Sequence, residues 1–137
     1  MIKAVFTSFL VFLISGCFEA QPTAYKYHRT ITNSNSIEVT YNLIKEQSVK
    51  CYQEEAGFFT SGIMIKGRKN DRYAYVSYFV SHLNELETSP FVDITIEENA
   101  ITIKEQPECI FGYCTPQNIT NEVVKWVHGD LECKDQN

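Results

Sequence analysis

The sequence lacks most of the signals that would announce a function. Its one long apolar run, Ala4 to Ile14, is about half the ~20 residues needed to cross a bilayer, so it does not read as a permanent membrane span. Basic residues are few: 12 Lys and Arg stand against 17 Asp and Glu, for a net charge of −5, and no basic stripe appears. Such a chain would repel phosphates, which excludes a nucleic-acid binder. There is no internal repeat and no low-complexity tract, and aromatic residues make up 13%, which excludes a disordered chain. The usual marks of chemistry are missing as well. Gly57, Gly62 and Gly67 are spaced turn residues and form no phosphate loop. Ser61 and Ser77 have no nucleophile-elbow motif around them, and no Cys-x-x-Cys redox pair occurs. What is present, 137 residues of which 44% are hydrophobic, fits one small globular domain.

The N-terminus reads as an address. Lys3 precedes the apolar run, which ends in Leu13-Ile14-Ser15-Gly16-Cys17. That segment resembles the lipobox of bacterial lipoproteins: an aliphatic residue, two small residues and a cysteine. The resemblance implies that residues 1–16 are a signal peptide that is removed. It also implies that the Cys17 thiol carries a diacylglycerol and that residues 17–23 form a lipidated tether. An ordinary secretory signal with a chance cysteine is the plainer alternative. Phe18, and not Asp, follows the cysteine. In the family this implies the outer membrane of a two-membrane envelope, with the domain facing the periplasm. Removing 16 of the 137 residues, Lys3 among them, would leave 121 with a net charge of −6.

If Cys17 carries lipid, four cysteines remain, an even number suited to two disulfides in an exported domain. Three pairings are possible. Cys109–Cys114 is favoured because the two flank a short Ile-Phe-Gly-Tyr loop bracketed by Pro107 and Pro116, with Gly112 able to take a positive φ. Cys51–Cys133 then joins the ends of two helix candidates. The alternative is zinc, since Cys109-x4-Cys114 and His128-x4-Cys133 have two-pair spacing. It would leave Cys51 over, and the expectation is no metal and no cofactor.

Residues 24–137 are expected to form a single α+β domain. Tyr25 to Ile31 alternates as a strand. Asn33 to Ser36 is a turn, and Asn35 with Glu38 has capping-box spacing. Ile37 to Glu54 fits both periods, but its length and lack of Gly or Pro favour a helix. Strands are expected at Phe58–Lys66 and Arg72–His82 about a polar turn at Gly67–Asp71, and at Phe91–Glu97 and Ala100–Lys104 about Glu98-Asn99. In the second pair Val92, Ile94, Ile96, Ile101 and Ile103 point one way and the polar residues the other, so one sheet face should be wet. A last helix is expected over Thr120–Leu131, with Thr120 as cap and Gly129 near its end. Asn118-Ile119-Thr120 matches a glycosylation sequon but reads here as part of that cap. The architecture is an antiparallel sheet of about five strands with two helices packed on one face, in the order strand, helix, four strands, helix. This order resembles the helix-grip arrangement, in which the sheet curls around the last helix and often leaves an apolar cavity. Cys51-Tyr52 with Trp126…Cys133 is also similar to a type of small bacterial envelope lipoprotein.

No catalytic residue is expected. His28, His82 and His128 lie on separate elements, and the doubled carboxylates Glu54-Glu55 and Glu97-Glu98 suit solvated surface. One cluster stands out: Tyr73, Tyr75 and Phe79 share a strand face, with Phe58 and Phe59 on the strand before. They are either a binding surface or core beneath a helix. The function expected is a lipid-anchored, non-enzymatic module that binds another envelope protein, an inhibitor or immunity protein being one form of this. The alternative is a carrier of a small apolar ligand between the sheet and the last helix.

Overall fold

A computed structural model describes residues 27–82, 85–86, 89–110 and 113–134. The segment read as a lipobox, Cys17, the expected tether at residues 17–23, Tyr25 and Gly112 lie outside the described residues. The elements are β1 (Tyr27–Thr32), α1 (Ile37–Tyr52), β2 (Gly62–Lys69), β3 (Ala74–His82), β4 (Glu85–Leu86), β5 (Val92–Ile96), β6 (Ala100–Glu105), β7 (Cys109–Ile110), β8 (Tyr113–Cys114) and α2 (Ile119–Val127). The fold is α+β. Five antiparallel strands run in the order β1-β6-β5-β3-β2, β4 pairs with the end of β3, and β7–β8 is a separate hairpin. α1 packs on β2, β3 and β5, and α2 packs on β6 and α1.

Alternation decides which sheet face the helices cover. Ile63 and Ile65, Ala74 to Val80 in steps of two, Val92, Ile94, Ile96, Ile101 and Ile103 are all buried on that face. Each large aliphatic side chain so buried contributes roughly 1.5–3 kcal/mol. The ambiguous segment is a helix because its 3.6-residue stripe is the one that packs. Tyr41, Ile44, Ser48 and Tyr52 are buried, whereas Val39, which a strand would have placed beside Tyr41, is exposed.

Several boundaries differ from the sequence reading. The cap of α1 is Ser36, whose hydroxyl accepts from the Val39 N–H; Glu38 instead pairs with Lys69 at 2.7 Å. β2 starts at Gly62 and not Phe58, and it runs through the expected turn to Lys69. The chain reverses at Asn70 to Tyr73, where the Asn70 side chain accepts from the N–H groups of Arg72 and Tyr73. Gly67 lies inside β2 because Tyr41 crosses it: a Cβ there would stand 2.5 Å from the Tyr41 hydroxyl. α2 stops at Val127, four residues short of the expected end, with Gly129 at φ +96° just beyond.

The N-terminus of α2 is the largest departure. Asn118 holds the cap position in the left-handed region, φ 63°, but its side chain makes no capping bond. Thr120 is not the cap either. Glu105, the last residue of β6 and only 1% exposed, supplies the acceptors. Its carboxylate receives the Ile119 N–H at 3.1 Å, the Thr120 N–H at 3.0 Å and the Thr120 hydroxyl at 2.7 Å. A strand-end carboxylate thus meets two orphan donors and the positive end of the helix at once. A second buried polar knot ties the opposite end. Asn33 donates to the Glu97 carbonyl at 2.8 Å and accepts from the Thr40 hydroxyl at 2.7 Å, fixing the β1–α1 turn to the β5–β6 turn.

Candidate functional site

The structure joins Cys51 to Cys133 and Cys109 to Cys114 as disulfides. In the β7–β8 hairpin the second pair are directly opposed residues. Cys109, Cys114 and Cys133 are therefore not free thiolates, which overturns the zinc alternative. Among the described residues no group of three His, Cys, Asp or Glu side chains is placed to hold a metal.

The histidines stay apart. His28 lies on β1 opposite Lys104, and His128 follows α2 with its Nδ1 donating to the Val124 carbonyl at 2.7 Å. His82, at the end of β3, lies 3.0 Å from the Ser61 hydroxyl through its Nδ1. This serine–histidine contact is invisible in the sequence, where 21 residues separate the two. It sits at the surface, where water weakens the preorganised electrostatics on which acyl transfer depends. Ser77 is engaged differently, donating to Asp93 at 2.7 Å.

Tyr75 and Phe79 alternate with the buried residues of β3, so they project from the sheet face that no described helix covers. They are half-buried by their cross-strand neighbours, not by a helix. Tyr73 lies just before β3, in the turn, 38% exposed, with its ring 6.4 Å from that of Tyr75. The reading of this cluster as core beneath a helix does not hold. Phe58 and Phe59 do not join it, since they lie outside β2 on the loop that precedes it.

Register adds the cations. Met64 is opposite Phe79 and Arg68 opposite Tyr75. The Arg68 guanidinium lies 4.8 Å from the Tyr75 ring centre, and the Lys66 ammonium 5.7 Å from that of Phe79. Each contact is worth roughly 0.5–1 kcal/mol at an exposed site. Lys66, Arg68, Tyr75, Phe79, Pro90 and Asp93 enclose a hollow of about 440 Å³. It offers aromatic surface, two cations and one carboxylate already paired to a hydroxyl. Such a hollow can take an apolar group with an acidic neighbour. Lys66 and Arg68 are missed by the sequence reading because it ends the strand at Lys66 and starts a turn at Gly67. The alternation of Met64, Lys66 and Arg68 with Ile63 and Ile65 was the available signal.

A larger hollow of about 720 Å³ opens at the α1 N-terminus, among Glu38, Lys69, Asn70, Asp71, Arg72 and Glu98. Two of its charges are already paired, Lys69 holding the Glu38 carboxyl below its usual range. Between the sheet and α2, Ile119, Val123 and Trp126 are wholly buried, and Trp126 packs 6.1 Å from the Tyr52 ring. Protein side chains thus stand where the carrier reading places an apolar ligand. Burial pushes Tyr52 and Tyr78 above the usual tyrosine range, and Tyr78 donates to Ser48 in the same core.

Among the described residues no helix is long and apolar enough to cross a membrane. Comparison with protein-family models, curated proteins and solved structures finds no match.

Proposed function

We propose that this chain is a lipid-anchored, non-enzymatic envelope module that binds another protein through the open face of its sheet. The observation that carries the reading is the pairing of Arg68 with Tyr75 and Lys66 with Phe79 on a face left uncovered by the described helices. Half-buried aromatics with cations over their rings give contact area at small entropic cost, and Arg and Tyr are enriched among residues that dominate interface energies. The partner surface that fits presents an apolar side chain beside a carboxylate, meeting the hollow and its two cations. An inhibitor or immunity role would use the same face. The lipobox at Cys17 supports an envelope location, where the lipid would hold the domain beside its partners.

The test is site-specific photocrosslinking in intact cells. A photoreactive residue replacing Tyr75 should yield a repeatable protein adduct. The same group replacing Glu46, on the exposed side of α1, should not. Equal labelling from both positions, or none from Tyr75, refutes the assignment of this face.

A further inference from the structure

The loop before β2 carries the most exposed aromatic pair among the described residues, and its position in the fold gives that pair a direction. Phe58 is 79% and Phe59 93% exposed, and their rings meet edge to face at 4.8 Å. Neither packs in the core, and adjacent phenylalanines in water are costly unless something covers them. The loop is held in place. Glu54 and Ile63 form an antiparallel bridge with N–H···O bonds of 3.0 and 2.9 Å in both directions, and the Gly57 N–H donates to the Thr60 hydroxyl at 3.1 Å. Gly62 permits this closure, since a Cβ there would collide with the Glu54 carbonyl oxygen. The bridge directs the loop out past the start of β2.

Sheet register says which end that is. Tyr27 pairs with Glu105, Glu105 with Val92, Val92 with Tyr78, and Tyr78 with Ile65. Tyr27 is thus level with Ile65, three residues inside the start of β2, and β1 begins toward the same end of the sheet. The chain enters the domain toward the end from which Phe58 and Phe59 project, with β1 and β2 four strand spacings apart, about 19 Å across the sheet. Tyr27, at the entry, is itself 48% exposed. The opposite end carries Asp71, Arg72 and Glu98 in its turns. Nine residues, 18–26, separate Cys17 from Tyr27, and the ten steps between them can reach at most about 36 Å. An anchor at Cys17 would thus attach on the side of the Phe58–Phe59 end, which can reach the bilayer with the tether slack.

We infer that the Phe58–Phe59 loop is a second membrane contact, inserting its two rings among lipid headgroups and fixing the orientation of the domain on the bilayer. The inference rests on the lipid-anchor reading for its geometry. A single chain-end tether leaves a domain free to tumble, whereas a second contact at the opposite edge strand of the sheet defines an axis. Glu54 and Glu55, both exposed beside the pair, suit a surface without net negative charge. With that end on the membrane, the open sheet face stands upright and remains available to a partner.

The test uses the processed full chain bound to phosphatidylcholine vesicles with brominated acyl chains. Phe59→Trp places a reporter at the loop tip, and Arg72→Trp places one at the opposite end; the native Trp126 is fully buried and supplies a constant background. Phe59→Trp should show a blue-shifted emission and strong quenching by the brominated lipid. Arg72→Trp should show neither. Quenching of Phe59→Trp no greater than that of Arg72→Trp, in protein that sediments with the vesicles, overturns the inference. So does a photocrosslinker at Phe59 that yields a protein adduct in cells and no lipid adduct. Intact mass reads Cys17 acylation separately. If the acyl group is absent the anchor reading falls, and the same two-tryptophan comparison at high vesicle excess still decides the loop.

Discussion

Replacing Glu105 should be among the most damaging single changes that leave the apolar core intact. Glu105→Ala removes the only acceptor shown for the Ile119 and Thr120 N–H groups and for the Thr120 hydroxyl. A buried donor left without a partner costs about 1–3 kcal/mol, and loss of the negative charge at the helix N-terminus adds up to ~1 kcal/mol. Relief from burying a carboxylate offsets part of this, so the net loss should be about 3–4 kcal/mol. Domains of this size are stable by only about 5–15 kcal/mol, so the effect is large. With a urea slope near 1.5 kcal/mol/M, the unfolding midpoint should fall by about 2 M in the oxidised protein. Glu105→Gln keeps the volume but turns an amide N–H₂ toward a donor, and should lose about half as much. Thr120→Ala removes one bond and should cost about 1 kcal/mol. The double variant should lose less than the sum of the two, because the sites share a partner. A Glu105→Ala midpoint within ~0.5 M of the parent, with an unchanged slope, would refute this account of how α2 is held.

Two further outcomes follow from the covalent and ionic links. The Cys51–Cys133 bond closes 82 residues and the Cys109–Cys114 bond only 5, so chain entropy assigns about 4.5 and 2 kcal/mol to them. Paired serine variants should fall in that order in thermal or urea unfolding, and equal losses would contradict the loop-entropy argument. Glu38 is held below the usual glutamate value by its bond to Lys69. Its folded form therefore prefers the charged state, and the stability it adds is present above the ordinary value of 4.5 and is lost as pH falls through its lowered one. A side-chain NMR titration should find the Glu38 midpoint below that of other exposed glutamates, and Lys69→Met should raise it; an unmoved midpoint in the variant would assign the shift elsewhere.

Much of the architecture was legible because strand alternation is a local property. The β5–β6 hairpin reads directly from Val92, Ile94, Ile96, Ile101 and Ile103, since every second residue meets the same core. Misplaced boundaries have longer-range causes. β2 passes through Gly67 because Tyr41 of α1 crosses it, and a glycine read by itself suggests a turn. Glu105 continues the buried alternation of Ile101 and Ile103, yet a carboxylate there looks like the end of the strand. Its partners, 14 and 15 residues onward, exist only once α2 has docked.

The open-face aromatics divide in the same way. The chain's own alternation puts Tyr75 and Phe79 on one face of β3 and Val76, Tyr78 and Val80 on the other, because a strand has a period of two. For β3, apolar on both faces, the choice of which one meets the helices was left to its pairing with β2 and β5, whose aliphatic faces α1 covers. Tertiary structure also brought Arg68 and Lys66 over the rings through β2–β3 register, and set the Phe58–Phe59 loop and the chain's entry toward one end of the sheet. These are relations between segments distant in sequence, and no local preference encodes them.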